Sequence, residues 1–428
     1  LFGDGPKTMI HVGESREPVQ FMVEGLARLK YGLLDAGVSG LLPRHFPWPP
    51  SEEPERAPYR GLEPLDVIDA GIFFGRDAEI LRGLAEIERM RLAADLPLFV
   101  ILGASGAGKS SFLRAGLLPR LRNEDRRFFS LGIVRPDSHP IYGDRGLAHA
   151  IASAVTEQLK PRALNPGNVK DMLRKGSQSF VALLKDIQAE ARSRVIGLPE
   201  TAPAPTLVLA IDQAEELFSQ DATAESRTFL ELIGAVLRRD LRGVSNPVSI
   251  IIALTIRSDR YEPLQTCRQL SGIKSVLFDD LRPMPATQYK EIIVNPASRA
   301  QVNGQPLNVE PTLVQELLSE SAKGADTLPL LSLTLARLYR DYSSDGDLLL
   351  KEYQAMGGMK YIIATEAESV LSSEEETREG ELQQLHAAFI PWLADINQDN
   401  DSPMRRVAAF SKLPPESHPL VQALIEKR

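Results

Sequence analysis

Cysteine is almost absent from this sequence, and no cluster of metal-binding side chains replaces it. The only cysteine among the 428 residues is Cys267, which excludes an internal disulfide and is typical of a reducing compartment. A cytoplasmic location is therefore expected. The histidines show no His-Glu-x-x-His motif and no Cys/His cluster, so a structural zinc site is not expected. They are His11, His45, His139, His149, His386 and His418.

Positive charge and long apolar runs are also in short supply. Lysine and arginine number 49 against 57 acidic residues, and the net charge of −8 argues against a general nucleic-acid-binding surface. No apolar run approaches the roughly 20 residues that span a bilayer, and no signal peptide opens the chain, so no membrane partner is expected. The length predicts about two to four domains. Because the chain begins with Leu1 rather than Met, we expect it to be part of a longer protein.

A glycine-rich stretch between a predicted strand and a predicted helix is the most informative motif. It follows the apolar run 96–102 and precedes a helix predicted over 109–121, which is the context of a P-loop. Small residues let backbone N–H groups surround phosphate oxygens, and the helix N-terminus favours negative charge. Lys109 is expected to reach the β- and γ-phosphates of ATP or ADP, and the Ser110 hydroxyl to bind Mg²⁺. The predicted nucleotide-binding residues here are Gly103, Ala104, Ser105, Gly106, Ala107, Gly108, Lys109, Ser110 and Ser111.

A second motif is an apolar strand that ends in an aspartate. Residues 207–211 lead into Asp212, and ligands of parallel sheets bind at the carboxyl ends of strands, so Asp212 is expected beside Ser110 as a Mg²⁺ ligand. Gln213 stands where a powerful ATPase often has a glutamate. Glu215 and Glu216 follow, and either is a candidate to orient the attacking water. Acidic residues also suit a helix N-terminus for structural reasons alone.

Three further positions are candidates for contacts with the nucleotide. Arg257, at the end of the predicted strand 248–256, is a candidate sensor of the γ-phosphate, or else an ion-pair partner of Asp259. Phe74 and Arg76 are candidates for the adenine pocket, although Phe74 also suits the hydrophobic core. Pro329 suits a first helical turn.

Alternating strands and helices predict the fold class, an α/β P-loop NTPase with a parallel sheet covered by helices on both faces. A small helical domain and a winged-helix-like segment are expected to follow it. The predicted strands are 98–102, 129–134, 206–211, 248–256 and 275–278, and the helices of this part are 109–121, 146–159, 169–192 and 224–241. Strand signals stop after Met284, and the later predicted helices are 286–299, 310–322, 328–341, 360–372 and 417–427.

The predicted domains follow from these patterns. Residues 1–45 hold one helix starting near Pro18, and a proline-rich linker with an entry motif occupies 46–68. The NTPase core spans 69–282, the helical domain 283–380, and the start of a winged helix 381–428. The acidic stretch 374–381 is interpreted as a solvated helix end or loop.

These motifs together resemble the STAND class of P-loop NTPases (NACHT/NB-ARC-like), and specifically its bacterial novel STAND branch. The resemblance covers roughly residues 57–428 and extends to an entry motif, a Walker B motif, a sensor segment and helical-domain landmarks. The matching segments are 57–62 with 69–76, 212–218, 255–259, 282–284, 295–297 and 328–331.

The resemblance implies a bacterial, slow ATPase used as an ATP/ADP switch. ADP would hold a closed monomer, an unknown trigger would open it, and ATP would support a homo-oligomer that activates a fused effector, in bacterial antiphage immunity or signalling. It also places Pro329 against adenine. Residues 17–30 resemble the end of a TIR-like effector, which would be an NADase, with a generic helical adaptor as the alternative. A continuously cycling remodelling ATPase and a winged-helix transcription regulator are the other functions considered.

Overall fold

A computed structural model describes most of the chain, which divides into two compact units. The described residues are 7–10, 19–22, 42–93, 95–160, 162–195, 202–219, 222–238, 248–282, 284–302, 304–321, 327–396, 403–405, 408 and 410–426. The first unit comprises Leu1–Arg56 and Pro64–Ile292, and the second comprises Ala57–Glu63 and Ile293–Arg428.

The N-terminal segment contains a hairpin where a helix was predicted. Strand β1 (Lys7–Ile10) pairs antiparallel with β2 (Val19–Met22). The predicted helix start near Pro18 is therefore wrong for residues 19–22, because the alternation of apolar and polar side chains there suits a strand as well as a helix turn. The rest of the predicted helix, 23–41, lies outside the described residues.

Five parallel strands form the sheet of the first unit, in the order β4-β5-β6-β3-β7. All five predicted strands are confirmed, with ends shifted by at most two residues. They are β3 (Leu98–Gly103), β4 (Phe128–Val134), β5 (Thr206–Ile211), β6 (Ile250–Arg257) and β7 (Ser275–Phe278).

Apolar side chains project from both faces of the central strands. Leu207, Leu209 and Ile211 of β5 enter one hydrophobic cluster, whereas Val208 and Ala210 enter another. Near-continuous apolar runs are what a sheet buried on both faces requires, and they made these strands recognisable. The fold is therefore that of an α/β P-loop NTPase.

Helices connect the strands of the first unit. They are α1 (Asp77–Ala93), α2 (Lys109–Ser111), a π-helical turn (Phe112–Leu117), α3 (Leu118–Asn123), α4 (Leu147–Gln158), α5 (Pro166–Arg174), α6 (Ser177–Arg194), α7 (Ala224–Leu237) and α8 (Tyr261–Gln265). The single helix predicted over 169–192 is two helices, because Gly176 adopts a positive φ of 97° between them. In the predicted helix 224–241 the chain leaves the helix after Leu237, and residues 239–241 lie outside the described part.

Helices dominate the second unit as well. Helix α9 (Ala286–Arg299) runs across the division between the units, and it is followed by α10 (Pro311–Ser321), α11 (Thr327–Tyr342), α12 (Leu350–Ala355), α13 (Ile362–Glu368), α14 (Glu375–Ala388) and α15 (His418–Glu426). Helix α13 is shorter than the predicted 360–372. The acidic stretch opens α14 with exposed Glu375 and Glu376, as expected of a solvated helix end. Among the described helices, none is long and apolar enough to cross a membrane.

Short strands occur after Met284, contrary to the prediction that strand signals stop there. Their pairs are β8 (Gln301–Val302) with β9 (Gln305–Pro306), β10 (Asn308–Val309) with β11 (Asp347–Leu348), and β12 (Ala394–Ile396) with β13 (Pro403–Arg405). Two or three residues are too few to show a period in sequence, which is why these strands were missed. The last pair lies between α14 and α15, and the winged helix stays a prediction.

Candidate nucleotide site

The P-loop joins β3 to α2 and is held in shape by its glycines and by Lys109. Gly106 and Gly108 have φ angles of 77° and 83°, a backbone region that L side chains rarely adopt. The Lys109 ammonium donates hydrogen bonds to the carbonyl oxygens of Gly103 at 2.9 Å and Ala104 at 2.7 Å. Lys109 is buried, and burial lowers the pKa of its amine, while the nearby Glu215 carboxylate opposes that effect.

Asp212 follows β5 directly and contacts the P-loop serine. Its Oδ1 atom accepts hydrogen bonds from the hydroxyls of Ser110 and Thr255, both at 2.7 Å. Strand β6 lies between β5 and β3, and Thr255 of β6 fills the space that Asp212 must reach across. The prediction that Asp212 lies beside Ser110 agrees with this geometry.

Arg114 binds the other oxygen of the same carboxylate. Its Nε and Nη2 atoms lie 2.9 Å and 2.8 Å from Oδ2 of Asp212. The sequence interpretation assigned no role to Arg114 or Thr255. The available signals were a spacing of four residues between Ser110 and Arg114, which suits one helix face, and a hydroxyl at the end of an otherwise apolar strand.

The donor set at this corner fits Mg²⁺. The Ser110 hydroxyl and the Asp212 carboxylate are oxygen ligands, which Mg²⁺ prefers, and Mg²⁺ usually completes its shell with water and substrate phosphates. Within the described ranges, no group of three or more His, Cys, Asp and Glu side chains offers a metal site made by protein ligands alone.

Glu215 and Glu216, predicted as equivalent candidates, have different environments. Both belong to the 3₁₀ turn Ala214–Phe218. Glu216 Oε2 accepts a hydrogen bond from the backbone N–H of Asp137 at 2.8 Å, and its Oε1 lies 3.6 Å from the Arg135 guanidinium. Glu215 Oε2 is buried and has no hydrogen-bond partner among the described residues. Burial raises the pKa of both carboxyls, and the Lys109 charge opposes the rise at Glu215.

The backbone between Asp212 and these glutamates turns sharply at Gln213. Gln213 has a φ of 60°, and it is the one non-glycine residue with positive φ in the described part of the chain. Its N–H donates to the Thr255 hydroxyl at 2.8 Å, and its side-chain oxygen accepts from Arg135 at 2.5 Å. A non-glycine residue in this conformation is uncommon and needs such support.

Arg257 lies at the end of β6 and pairs with Asp259. Its Nε and Nη2 atoms are 2.9 Å and 2.8 Å from the two carboxylate oxygens. The ion pair considered as the alternative to sensing is therefore present. The positive charge of Arg257 also acts on Lys109, where it contributes to the lowered pKa of the amine. Sensing stays a prediction.

The remaining predicted residues fall into three environments. Arg76 is buried, and its Nη2 donates to the carbonyl oxygens of Arg282 at 3.0 Å and of Ala107 in the P-loop at 3.4 Å. Phe74 is half-buried. The Ser111 hydroxyl accepts a hydrogen bond from the N–H of Leu65 at 3.0 Å, so it holds the preceding segment.

Pro329 belongs to the second unit. It lies in the first turn of α11 and is half-buried. Proline at such a position is structurally ordinary, since the first turn of a helix does not need its N–H. Its contact with adenine stays a prediction.

A parallel sheet, a P-loop between a strand and a helix, and a strand-end aspartate bonded to the P-loop serine define the class of P-loop NTPases. A family model described as Novel STAND NTPase 1 matches residues 58–428, which is most of the chain. The chain belongs to this family, in agreement with the resemblance of its motifs. Comparison with curated proteins finds no match.

Several solved structures are similar to the chain at low identity. One is the Aeropyrum pernix ORC1 protein in complex with DNA, with a TM-score of 0.42 and 17% identity over 83% of this chain and 77% of that chain. Another is the Aeropyrum pernix ORC2 protein in ADPNP-ADP complexes, with a TM-score of 0.45 and 13% identity over 82% of this chain and 93% of that chain. The ADP form of ORC2 has a TM-score of 0.41 and the same identity and coverage. The family assignment rests on the family model and the motifs.

Proposed function

We propose that this chain is an ATP/ADP-controlled switch with slow ATPase activity. The observation that carries the proposal is the buried Asp212 carboxylate bonded to Ser110 of the P-loop, in a chain where Gln213 follows the aspartate. The first feature supports binding of a nucleotide with a divalent cation. Because Gln213 stands in place of the glutamate that a fast ATPase often has after this aspartate, the second feature favours a slow ATPase that changes state rarely.

Binding follows from the P-loop. The backbone N–H groups of 103–108 and the start of α2 receive the phosphates, and Lys109 exchanges the carbonyls of Gly103 and Ala104 for phosphate oxygens. Ser110 and Asp212 hold Mg²⁺, which when bound offsets the negative charge of the phosphates. Arg76 supports the loop through the Ala107 carbonyl, and with Phe74 and Pro329 it is proposed to contact adenine.

Glu215 is the better candidate to orient the attacking water. Its buried Oε2 has no hydrogen-bond partner among the described residues, although the backbone N–H groups of Glu215 and Arg257 act on the carboxyl and oppose the rise of its pKa. Glu216, by contrast, accepts a hydrogen bond from the Asp137 N–H and lies 3.6 Å from the Arg135 guanidinium. Burial raises the pKa of Glu215, which brings a carboxyl closer to the range in which it can accept a proton from water. Its place three residues beyond Asp212 is consistent with slow turnover.

Arg257 is proposed to report the γ-phosphate. A phosphate oxygen near the end of β6 would compete with Asp259 for the guanidinium, and Arg257 would bind one or the other. The ATP-bound and ADP-bound states of the protein would then differ in the ion pair between Arg257 and Asp259. A nucleotide shifts a conformational equilibrium only by its differential affinity for the two states, and this exchange supplies such a difference.

The output of the switch is proposed from the family resemblance. ADP favours a closed monomer, and ATP favours an open form that assembles into a homo-oligomer and activates a fused effector, TIR-like or a helical adaptor, in bacterial antiphage immunity. The trigger is sensed outside this chain. Nucleic acid and membrane are not proposed as partners, given the net charge of −8.

The test is the mass of the particle in solution with ADP, with a non-hydrolysable ATP analogue and with no nucleotide, together with steady-state turnover. We expect a monomer with ADP, a larger species with the analogue and slow turnover. Fast turnover with no change of mass would instead indicate a continuously cycling ATPase. Salt-dependent binding of DNA would indicate a transcription regulator.

A further inference from the structure

The Arg114 guanidinium occupies the carboxylate that is expected to bind Mg²⁺. Arg114 lies in the helix that follows the P-loop, its Nε donates a hydrogen bond to Oδ2 of Asp212 at 2.9 Å, and its Nη2 lies 2.8 Å from the same oxygen. Both side chains are shielded, with 13% of the Arg114 side chain and 1% of the Asp212 side chain exposed. A charge-assisted hydrogen bond in such surroundings is strong.

No acceptor site on Asp212 is left over. An ionised carboxylate has about four lone-pair sites. Here the Ser110 and Thr255 hydroxyls donate to Oδ1, Arg114 Nε donates to Oδ2, and Arg114 Nη2 lies 2.8 Å from Oδ2 and covers the remaining site. Coordination of a cation by Asp212 must therefore displace one donor. The Thr255 hydroxyl is held by the Gln213 N–H, and Ser110 is itself a proposed metal ligand. Arg114 is therefore the donor that the cation would displace.

Arg114 also has a second carboxylate within reach. Its Nη1 lies 3.6 Å from Oδ2 of Asp66, whose side chain is 47% exposed. Asp66 starts the 3₁₀ helix Val67–Ile72 by accepting the Val67 N–H at 2.7 Å. Next to it, Leu65 is bonded to Ser111 of the same helix start. Residues 65–67 are thus tied to the site by both Arg114 and Ser111.

We propose that Arg114 is a positioning residue that competes with Mg²⁺ for Asp212, and that Asp66 takes over the guanidinium when Asp212 binds the metal. The inference rests on the proposed nucleotide site. Under this proposal, Mg²⁺ binding breaks the buried ion pair between Arg114 and Asp212. The contact of Arg114 with Asp66 then links the metal site to the segment 65–67. Because residues 57–63 cluster with the second unit, this segment is where the chain re-enters the first unit.

The experiment measures the Mg²⁺ concentration that half-saturates the rise in melting temperature at fixed ADP. Arg114→Gln should lower this midpoint about tenfold, because charge-assisted hydrogen bonds that compete with the metal are removed. Asp66→Asn should raise it about twofold, because a half-exposed alternative partner is worth little. Arg122→Gln is the matched control, since Arg122 lies in α3 and pairs only with exposed Glu157 at 3.2 Å among the described residues.

A second readout follows the segment itself. Hydrogen exchange of residues 65–69 should change on adding Mg²⁺ to the ADP-bound wild type, and this change should be lost in Arg114→Gln. Opposite shifts of the midpoint in the two variants support the proposal. A midpoint that rises or stays the same in Arg114→Gln overturns it, as does a lowered midpoint in Asp66→Asn.

Failure of the proposed function gives a different result. If ADP binds neither with nor without Mg²⁺ in the wild type, the nucleotide site itself is wrong and the inference falls with it. If ADP and Mg²⁺ bind normally but both variants match Arg122→Gln, only the role of Arg114 is wrong. Should Arg114→Gln fail to fold, Asp66→Asn decides the question alone.

Discussion

The carboxylates of Asp212 and Glu215 both follow strand β5, three residues apart, and they differ in the hydrogen bonds that they accept. Asp212 is fully buried and accepts hydrogen bonds from Ser110, Thr255 and Arg114. Glu215 is also shielded, yet its Oε2 has no partner among the described residues. The comparison shows that one short turn places one carboxylate in a network of hydrogen bonds and another with an unpartnered oxygen, which is the difference on which their proposed roles rest.

The largest expected effect comes from removing the available carboxylate. Glu215→Gln should slow ATP hydrolysis about 10²–10³-fold, because general-base catalysis typically contributes this much, while nucleotide affinity stays unchanged. Single-turnover hydrolysis and equilibrium titration measure the two quantities. Glu216→Gln is the control and should hydrolyse ATP nearly as fast as the wild type, since its carboxylate is engaged by Asp137. Equal losses of hydrolysis rate in the two variants would contradict the proposal that Glu215, and not Glu216, orients the attacking water.

The next effect concerns Lys109, whose charge acts on both carboxylates. Lys109→Ala should weaken ATP and ADP binding by about 100-fold or more, because it removes two or more charge-assisted hydrogen bonds to phosphate. Isothermal titration calorimetry measures the loss. Lys274→Ala is the control, since Lys274 makes an exposed ion pair with Asp95 at 2.7 Å. ATP affinity in Lys109→Ala equal to that of the wild type would contradict the site assignment.

Removing the charge of the fixed carboxylate should affect stability as well as binding. In Asp212→Asn the ion pair with Arg114 is lost, and the free energy of unfolding should fall by about 1.5–3 kcal/mol, the usual worth of hydrogen bonds to charged groups. The Mg²⁺ concentration needed for ADP binding should rise. Urea unfolding and titrations at several Mg²⁺ concentrations test both. An unchanged stability together with an unchanged Mg²⁺ dependence would show that Asp212 is not the organising residue of the site.

Much of this arrangement could be predicted from local sequence. The strands β3 and β5 are near-continuous apolar runs, and the P-loop and Asp212 are recognisable because each lies at the end of one of them. The link between Ser110 and Asp212 followed from a general rule about parallel sheets. The hydrogen bond from the Ser110 hydroxyl to Asp212 agrees with that expectation.

The rest depends on contacts that no local pattern encodes. Arg114 and Thr255 meet Asp212 across sequence separations of 98 and 43 residues. The different environments of Glu215 and Glu216 depend on the turn at Gln213 and on Asp137, which lies far away in sequence. The hairpin β1–β2 was mistaken for a helix because four residues satisfy either period.

A smaller effect is expected at Arg257, which interacts with Glu215 but is bound by Asp259. Arg257→Ala should still bind ATP and ADP, with stability changed by less than about 1 kcal/mol, as is usual for an exposed ion pair. It should lose the difference between the two nucleotides in particle size and protease protection. Asp259→Asn is the complementary variant and should favour the ATP response, because it frees the guanidinium. Normal switching in Arg257→Ala would remove Arg257 from the mechanism.

The smallest expected effect is a difference between variants of Glu215 and Asp212 in how their free energy of unfolding depends on pH. Burial raises the pKa of Glu215, so the folded state holds this proton more tightly than the unfolded chain. The stability that this proton contributes is present below the unfolded pKa of about 4.3 and is lost as the pH rises through the raised folded value. Glutamine does not ionise, so Glu215→Gln should be more stable than the wild type at neutral pH.

Urea unfolding of the wild type and Glu215→Gln across this pH range measures the difference. The gain in the variant should shrink toward zero as the pH falls well below the unfolded pKa of about 4.3, where the wild-type carboxyl is protonated in both states. Asp212→Asn should show the opposite sign at neutral pH, because there the substitution removes hydrogen bonds to a charged group. A Glu215→Gln variant less stable than the wild type at neutral pH would mean that ionised Glu215 stabilises the fold through Lys109. Glu215 would then be a second fixed carboxylate rather than one left available for water.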